Sequence, residues 1–235
     1  MPNPDLADTQ PGEFLVVERL SKRFRSPGGD VDALVDVNAS LPRGTLTVLA
    51  GPSGSGKSTL LMMIAAADRP DSGDVFVAGV SLSRLSRRER RHWRRDHLGI
   101  VMPQPSDNLT QRHDALGNLV WSSSLRSVGS PLGRETAADS LARVELDGLE
   151  AAPIAHLSGG QQMRLALTCA SVGDPTLILV DEPTASLDAA SAATVVRLLR
   201  RMADDGTTLV VATHDHAIVE AADQVVRLDL GRVVA

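Results

Sequence analysis

Short runs of β-branched and aliphatic residues recur along the chain, and their spacing predicts strands alternating with helices. Positions 14–20 (FLVVERL) and 45–50 (TLTVLA) read as strands. Between them, turn signals at Pro27-Gly28-Gly29 and Pro42-Arg43-Gly44 predict an antiparallel N-terminal sheet. The strand at 45–50 runs through GPSGSGKST into the apolar helical stretch LLMMIAAA. A further strand is predicted at 74–80, an arginine-dense helix at 84–95, and a strand at 98–102 broken by Pro103 and Pro105. From 106 to 156 polar turns and helical patterns mix without clear boundaries. A helix follows LSGGQQ to about Val172, and another is predicted at 189–203. Strands at 176–181 and 207–213 are apolar without alternation, which suits a parallel sheet covered on both faces. Positions 224–235 predict a closing hairpin, with no room after it for a regulatory domain. There is no internal repeat and no low-complexity linker.

Composition narrows the function classes. The 235 residues carry a formal net charge of −5, against the basic balance expected of a protein that coats nucleic acid. Apolar residues at 43% make a disordered chain untenable. A lone Cys169 excludes an intrachain disulfide framework and fits a reducing compartment. No apolar run approaches the roughly 18–20 residues that span a bilayer. The opening MPNPDLADTQPGE lacks a signal pattern and reads as a frayed tail. Tyrosine is absent, and lysine occurs only at positions 22 and 57.

The segment from Gly51 to Ser58 matches the G-x-x-x-x-G-K-[ST] phosphate loop, placed between a strand and a helix. Gly51, Gly54 and Gly56 let backbone N–H groups turn towards an anion, with Ser53, Ser55 and Thr59 completing the loop. The following helix adds its positive end. Lys57 supplies a charge for the β- and γ-phosphates, and Ser58 a hydroxyl for Mg²⁺. The run Leu177 to Glu182 ends in two carboxylates at the C-terminal edge of a central strand, where α/β sheets place their ligands. Asp181 there is positioned to hold Mg²⁺ through water, and Glu182 to orient and deprotonate an attacking water. His214 ends the neighbouring strand, either as a structural residue or aimed at the γ-phosphate.

Leu157-Ser158-Gly159-Gly160-Gln161-Gln162 makes the reading specific. Together with Phe24, the phosphate loop, Gln104, LVDE at 179–182, the Ser186-Leu187-Asp188 loop and His214, it resembles the ATP-binding cassette (ABC) ATPases from about Phe14 to the end. The resemblance implies an α/β fold: a RecA-like P-loop NTPase core with a parallel sheet, an N-terminal antiparallel β subdomain and an inserted α-helical subdomain. It implies a single nucleotide-binding domain over 1–235, with a catalytic lobe (14–102 and 173–235) and a helical signature lobe (103–172). By the same resemblance Phe24 stacks on adenine where relatives have Tyr, and Gln104 reaches Mg²⁺ and the attacking water. Ser158, Gly159, Gly160 and Gln161 would meet the γ-phosphate held by a second subunit, with Asp188 linking the two sites. ATP and Mg²⁺ are the implied substrate and cofactor. Thr168-Cys169-Ala170 departs from the family's alanine-arginine-alanine stretch, and Ala185 stands where Gly is frequent.

The segment from Asp68 to Val101 is similar to the clade of macrolide exporters and lipoprotein-release systems. That implies transmembrane permease subunits as partners, a homodimer of the nucleotide-binding chain, and a peripheral place at the cytoplasmic face of the cell membrane. Transport and mechanical signalling to cell-wall enzymes both stay open at this level. A soluble repair or translation cassette lacks its coiled-coil, zinc or tandem-cassette features here. Seven arginines between 84 and 95 read as a solvated helix face with Glu89 and Asp96 as partners, or as a surface drawn to anionic lipid headgroups. Trp121 either lines a groove for a permease helix or packs in the core.

Overall fold

The computed structural model describes residues 13–25, 29–126 and 131–234. The segment before Glu13, including most of the expected frayed tail, and the Pro27-Gly28 turn signal lie outside the described residues.

Strand β1 (Glu13–Phe24) pairs antiparallel with β2 (Val31–Pro42). It is longer than the apolar run suggested, because polar residues after Leu20 keep pairing to Phe24↔Val31. Strand β3 (Leu46–Ala50) leads into helix α1 (Lys57–Ile64). Strand β4 (Ser72–Val77) and the short β5 (Val80–Ser81) complete a four-stranded sheet in the order β2-β1-β4-β5. Ala78-Gly79 forms the turn between them, so the single strand expected at 74–80 is a hairpin; Gly79 has φ 78°.

Helix α2 (Arg87–His97) starts at a capping box between Ser86 and Glu89 and runs directly into β6 (Leu98–Val101). Helices α3 (Ala115–Ser124), α4 (Arg134–Ala142) and α5 (Gly159–Ser171) occupy the stretch of weak boundaries and the signature helix. Then come β7 (Leu177–Asp181), α6 (Ala189–Asp204), β8 (Leu209–Thr213), α7 (His216–Glu220) and the hairpin β9 (Gln224–Asp229) and β10 (Arg232–Val234). The second sheet has six strands in the order β10-β9-β3-β8-β7-β6, parallel except for β10.

The unbroken apolar runs are explained by packing on both faces of this sheet. Leu46, Val48, Ile178, Val180, Leu209 and Val211 face the cluster built with α3 to α6. Leu49, Leu177, Leu179, Val210 and Ala212 face α1, α2 and the antiparallel sheet. Truncating any buried leucine here to alanine costs about 2–5 kcal/mol. The parallel pairing of adjacent β3, β8 and β7 brings their C-terminal ends to one edge of the sheet.

The arginine-rich helix divides its charges. Arg94 reaches inward to the carbonyl of Ala66 at the exit of α1, while Trp93 is buried. Arg95 pairs with Asp96 at 2.9 Å on the exposed side. The face is thus partly solvated and partly structural, because the carbonyls that end α1 need donors.

Candidate nucleotide site

The turn from β3 into α1 is shaped by glycines that nothing else replaces. Gly51 has φ 156° and Gly56 has φ 103°. A Cβ on Gly51 would lie 2.2 Å from the carbonyl oxygen of Leu228, and one on Gly56 2.5 Å from that of Ala33. Gly56 caps α1 in the left-handed conformation with no side-chain hydrogen bond, so no side chain caps the first-turn N–H groups. Lys57 is 6% exposed, and its Nζ donates to the carbonyls of Gly51 (2.8 Å) and Pro52 (2.9 Å), bending the side chain back over the loop. A cavity of about 560 Å³ opens here. Its lining includes Phe24 with Ser53, Gly54, Ser55, Gly56, Lys57, Ser58, Thr59 and Glu182.

The strand end opposite supplies carboxylates. Burial pushes the Asp181 carboxyl up from its ordinary range; the Ser58 hydroxyl bonded to it and the Lys57 charge oppose the rise, and Glu182 adds to it. Asp181 Oδ1 and Ser55 Oγ are buried without a hydrogen-bond partner. A buried, unpartnered carboxylate oxygen beside a serine hydroxyl and a phosphate loop fits a magnesium ion that keeps most of its waters. Among the described residues no cluster of three or more His, Cys, Asp or Glu forms a richer metal site.

Glu182 sits at φ 44°, a left-handed conformation unusual for a residue with a side chain. Its backbone N–H donates to Ala212, and Thr213 Oγ1 donates to its Oε2 at 3.1 Å. His214 Nδ1 lies 3.0 Å from Oε2 and Lys57 Nζ 3.9 Å from Oε1. His214, read from the sequence as either structural or aimed at the γ-phosphate, is in contact with the Glu182 carboxylate. Thr213 in turn accepts from the N–H of Asp215, whose Oδ2 accepts from the buried Thr184 hydroxyl at 2.7 Å. Thr184, Thr213 and Asp215 escaped the sequence reading. The signal for Thr213 and Asp215 is the Thr-His-Asp run at the end of β8, of which only the histidine stood out; Thr184 lies two residues after Glu182.

Other expected residues lie apart from this cavity. Gln104 is exposed ahead of a short 3₁₀ turn, outside the cavity lining. Ser158 begins α5: its hydroxyl accepts from Gln161 N–H at 3.3 Å, and the Gln161 side chain accepts from Ser158 N–H at 2.8 Å. The Gln161 side-chain oxygen and backbone N–H are thus used within the chain, whereas its side-chain amide N–H groups and the Ser158 hydroxyl proton are not. Asp188 caps α6, accepting from Ser191 N–H (2.9 Å) and Ser191 Oγ (2.7 Å); these bonds hold its carboxyl below the usual range. Ser191 lies against the signature, since a Cβ on Gly160 would be 2.7 Å from its Cβ. A Cβ on Gly159 would meet Leu187 at 3.2 Å. The signature glycines therefore admit the Leu187–Ser191 segment as close neighbours.

Residues 34–185 match the family model described as ABC transporter. The chain belongs to the ABC transporter family. It is an ATPase cassette of that family, with the mixed α/β architecture of its members. Its relatives include the macrolide export ATP-binding/permease protein MacB of Bartonella quintana, 33% identical over 96% of this chain and 34% of that protein. The lipoprotein-releasing system ATP-binding protein LolD of Paramagnetospirillum magneticum is 34% identical over 94% of this chain and 97% of that protein. The chain thus spans about a third of the MacB relatives it matches and nearly all of the LolD ones. A dimeric post-hydrolysis structure of an ATP-binding cassette bound to ADP and Pi superposes with a TM-score of 0.84 at 31% identity, over 94% of this chain and 97% of that one. No helix among the described residues is long and apolar enough to cross a membrane.

Proposed function

We propose that this cassette binds ATP between Phe24 and the phosphate loop and hydrolyses it in a head-to-tail dimer that drives a membrane permease of the exporter or mechanotransmission type. The observation that carries the reading is the unequal provision of its two Gly-Ser helix starts. The start of α1 has Lys57 and no side-chain cap, whereas that of α5 spends Ser158 and Gln161 on each other. The second start has one of its first-turn N–H groups already capped and no lysine, so it suits a nucleotide already held by another chain. Dimeric relatives such as the ADP- and Pi-bound cassette support the same arrangement.

In this reading Phe24 stacks on adenine and the N–H groups of residues 54–59 surround the phosphates. Lys57 balances the charge that develops on them. Ser58 and Asp181 would hold Mg²⁺, joined by Gln104. When bound, the ion polarises the phosphoryl oxygens. Glu182 takes a proton from the attacking water at its carboxylate, with Thr213 donating to Oε2 and His214 Nδ1 in reach of both oxygens. The partner's signature, Ser158 to Gly160, closes over the γ-phosphate; within each chain Asp188 holds Ser191 against that same chain's Gly160.

A groove of about 290 Å³ between β6, α3 and α5 supports the permease partner. It exposes Ile100, Trp121 (42% exposed) and Leu125 beside Arg95, so Trp121 is not core. The names of the MacB and LolD relatives favour export or release. The test is ATPase activity of the chain in nanodiscs with its cognate permease. Stimulation by the permease that Trp121→Ala weakens supports the reading, and an ATPase indifferent to every permease supplied contradicts it.

A further inference from the structure

Of the two lysines in the chain, Lys57 belongs to the phosphate loop, and Lys22 has no role in the site described so far. Lys22 stands two residues before Phe24 on β1, and its Nζ lies 5.3 Å from the centre of the Phe24 ring. Its side chain is only 10% exposed. The ammonium pairs with Asp68 Oδ2 at 2.7 Å and donates to the carbonyl of Arg69 at 2.7 Å. Asp68 and Arg69 lie in the segment that leaves α1, the helix that opens on the phosphate loop. That ion pair is the main reason the Asp68 carboxyl sits below its ordinary range.

The neighbouring Arg23 fastens the same strand end elsewhere, to Asp32 of β2 through two guanidinium bonds. Phe24 itself has no hydroxyl with which to fix its ring. A cation over the ring face supplies that restraint through the aromatic quadrupole. Lys22 and Phe24, two residues apart on β1, project from the same face of the strand, and of the two only Phe24 lines the nucleotide cavity. Electron density drawn towards the ammonium also favours stacking of an electron-rich purine on the ring.

We propose that Lys22 is a positioning residue for the nucleobase: it holds the Phe24 platform at a fixed distance from the phosphate loop, because one ammonium grips both the ring and the exit of α1. This rests on the reading that adenine stacks on Phe24.

Calorimetry on the full chain, with ATP-Mg and with inorganic tripolyphosphate-Mg, separates the two ideas. Lys22→Met is expected to weaken ATP roughly 3- to 30-fold, the range of a partly buried cation–π contact. Tripolyphosphate, which has no base, should bind as before. The KM for ATP should rise by the same factor with kcat unchanged, and Lys22→Met should add nothing in a Phe24→Ala background. If Lys22→Met does not give a cooperative melt, Asp68→Asn, which releases the ammonium, should produce the same base-selective loss. Unchanged ATP affinity in Phe24→Ala would remove the adenine platform itself. A loss in Phe24→Ala but none in Lys22→Met, equal losses for ATP and tripolyphosphate, or additive losses in the double variant would each overturn the role of Lys22.

Discussion

Helix α1 begins behind Gly56, whose φ of 103° and missing side chain leave the first turn uncapped, with Lys57 folded over the loop. Helix α5 begins behind Ser158, where a capping box with Gln161 satisfies part of the same requirement within the chain. Both starts are rich in glycine and serine, and a motif reading treats both as anion cradles. The energetics separate them. An uncapped first turn with a buried ammonium is completed by an anion, so it binds alone. A capped turn is stable by itself and has less to give a ligand. The glycines differ too: Gly51 and Gly56 avoid backbone carbonyls, whereas Gly160 makes room for Ser191.

The largest test removes Glu182. Glu182→Gln is expected to cut kcat by on the order of 10²–10⁴ with ATP binding intact, and to trap an ATP-bound dimer visible by light scattering. A tightly bound monomer instead would mean that α5 does not engage a second chain. Lys57→Ala strikes the uncapped start. Losing a charge-assisted hydrogen bond costs about 1.5–3 kcal/mol, so ATP affinity should fall roughly 10- to 150-fold by calorimetry. Gly160→Ala overpacks against Ser191 and is expected to cost about 1–3 kcal/mol of stability and most of the hydrolysis. Ser191→Gly should restore both, and failure to do so would show that Gly160 is needed for something other than that contact. The smallest effect is at the cap. Ser158→Ala should cost about 1 kcal/mol, a fall in Tm of roughly 2–4 °C for a domain this size. At one ATP concentration the ATP-induced rise in Tm should survive in Ser158→Ala and shrink in Lys57→Ala.

The positions of the central strands along the chain and the residues of the phosphate loop were legible because each depends on local pattern. Apolar runs named β3, β7 and β8, and the motif marked the passage from β3 through the turn at Ser53 to Gly56 into the first residues of α1. What stayed hidden depends on distant partners. The boundaries of α3 rest on Asn118, a buried polar residue whose side chain bonds to Thr110, His113 and Asp114, so no apolar period marks it. Arg94 looks like any other charge in its run until the exit of α1 is seen to need a donor. The hydroxyl chain from Thr184 through Asp215 and Thr213 to Glu182 joins two strand ends that are 31 residues apart. Asp188 carries a family role in the sequence reading, whereas its local bonds to Ser191 become visible only in the fold.

The central claim is that one ATP is served by the α1 start of one chain and the α5 start of another. Mixing two inactive variants tests it directly: Lys57→Ala, which lacks the first start, and Ser158→Arg, in which an exposed bulky residue blocks the second. Each alone should be nearly without ATPase activity. An equimolar mixture should regain a substantial fraction of wild-type turnover, because mixed dimers contain one site with both intact starts. A mixture as inactive as its components, with mixed dimers demonstrated by crosslinking, would contradict the claim.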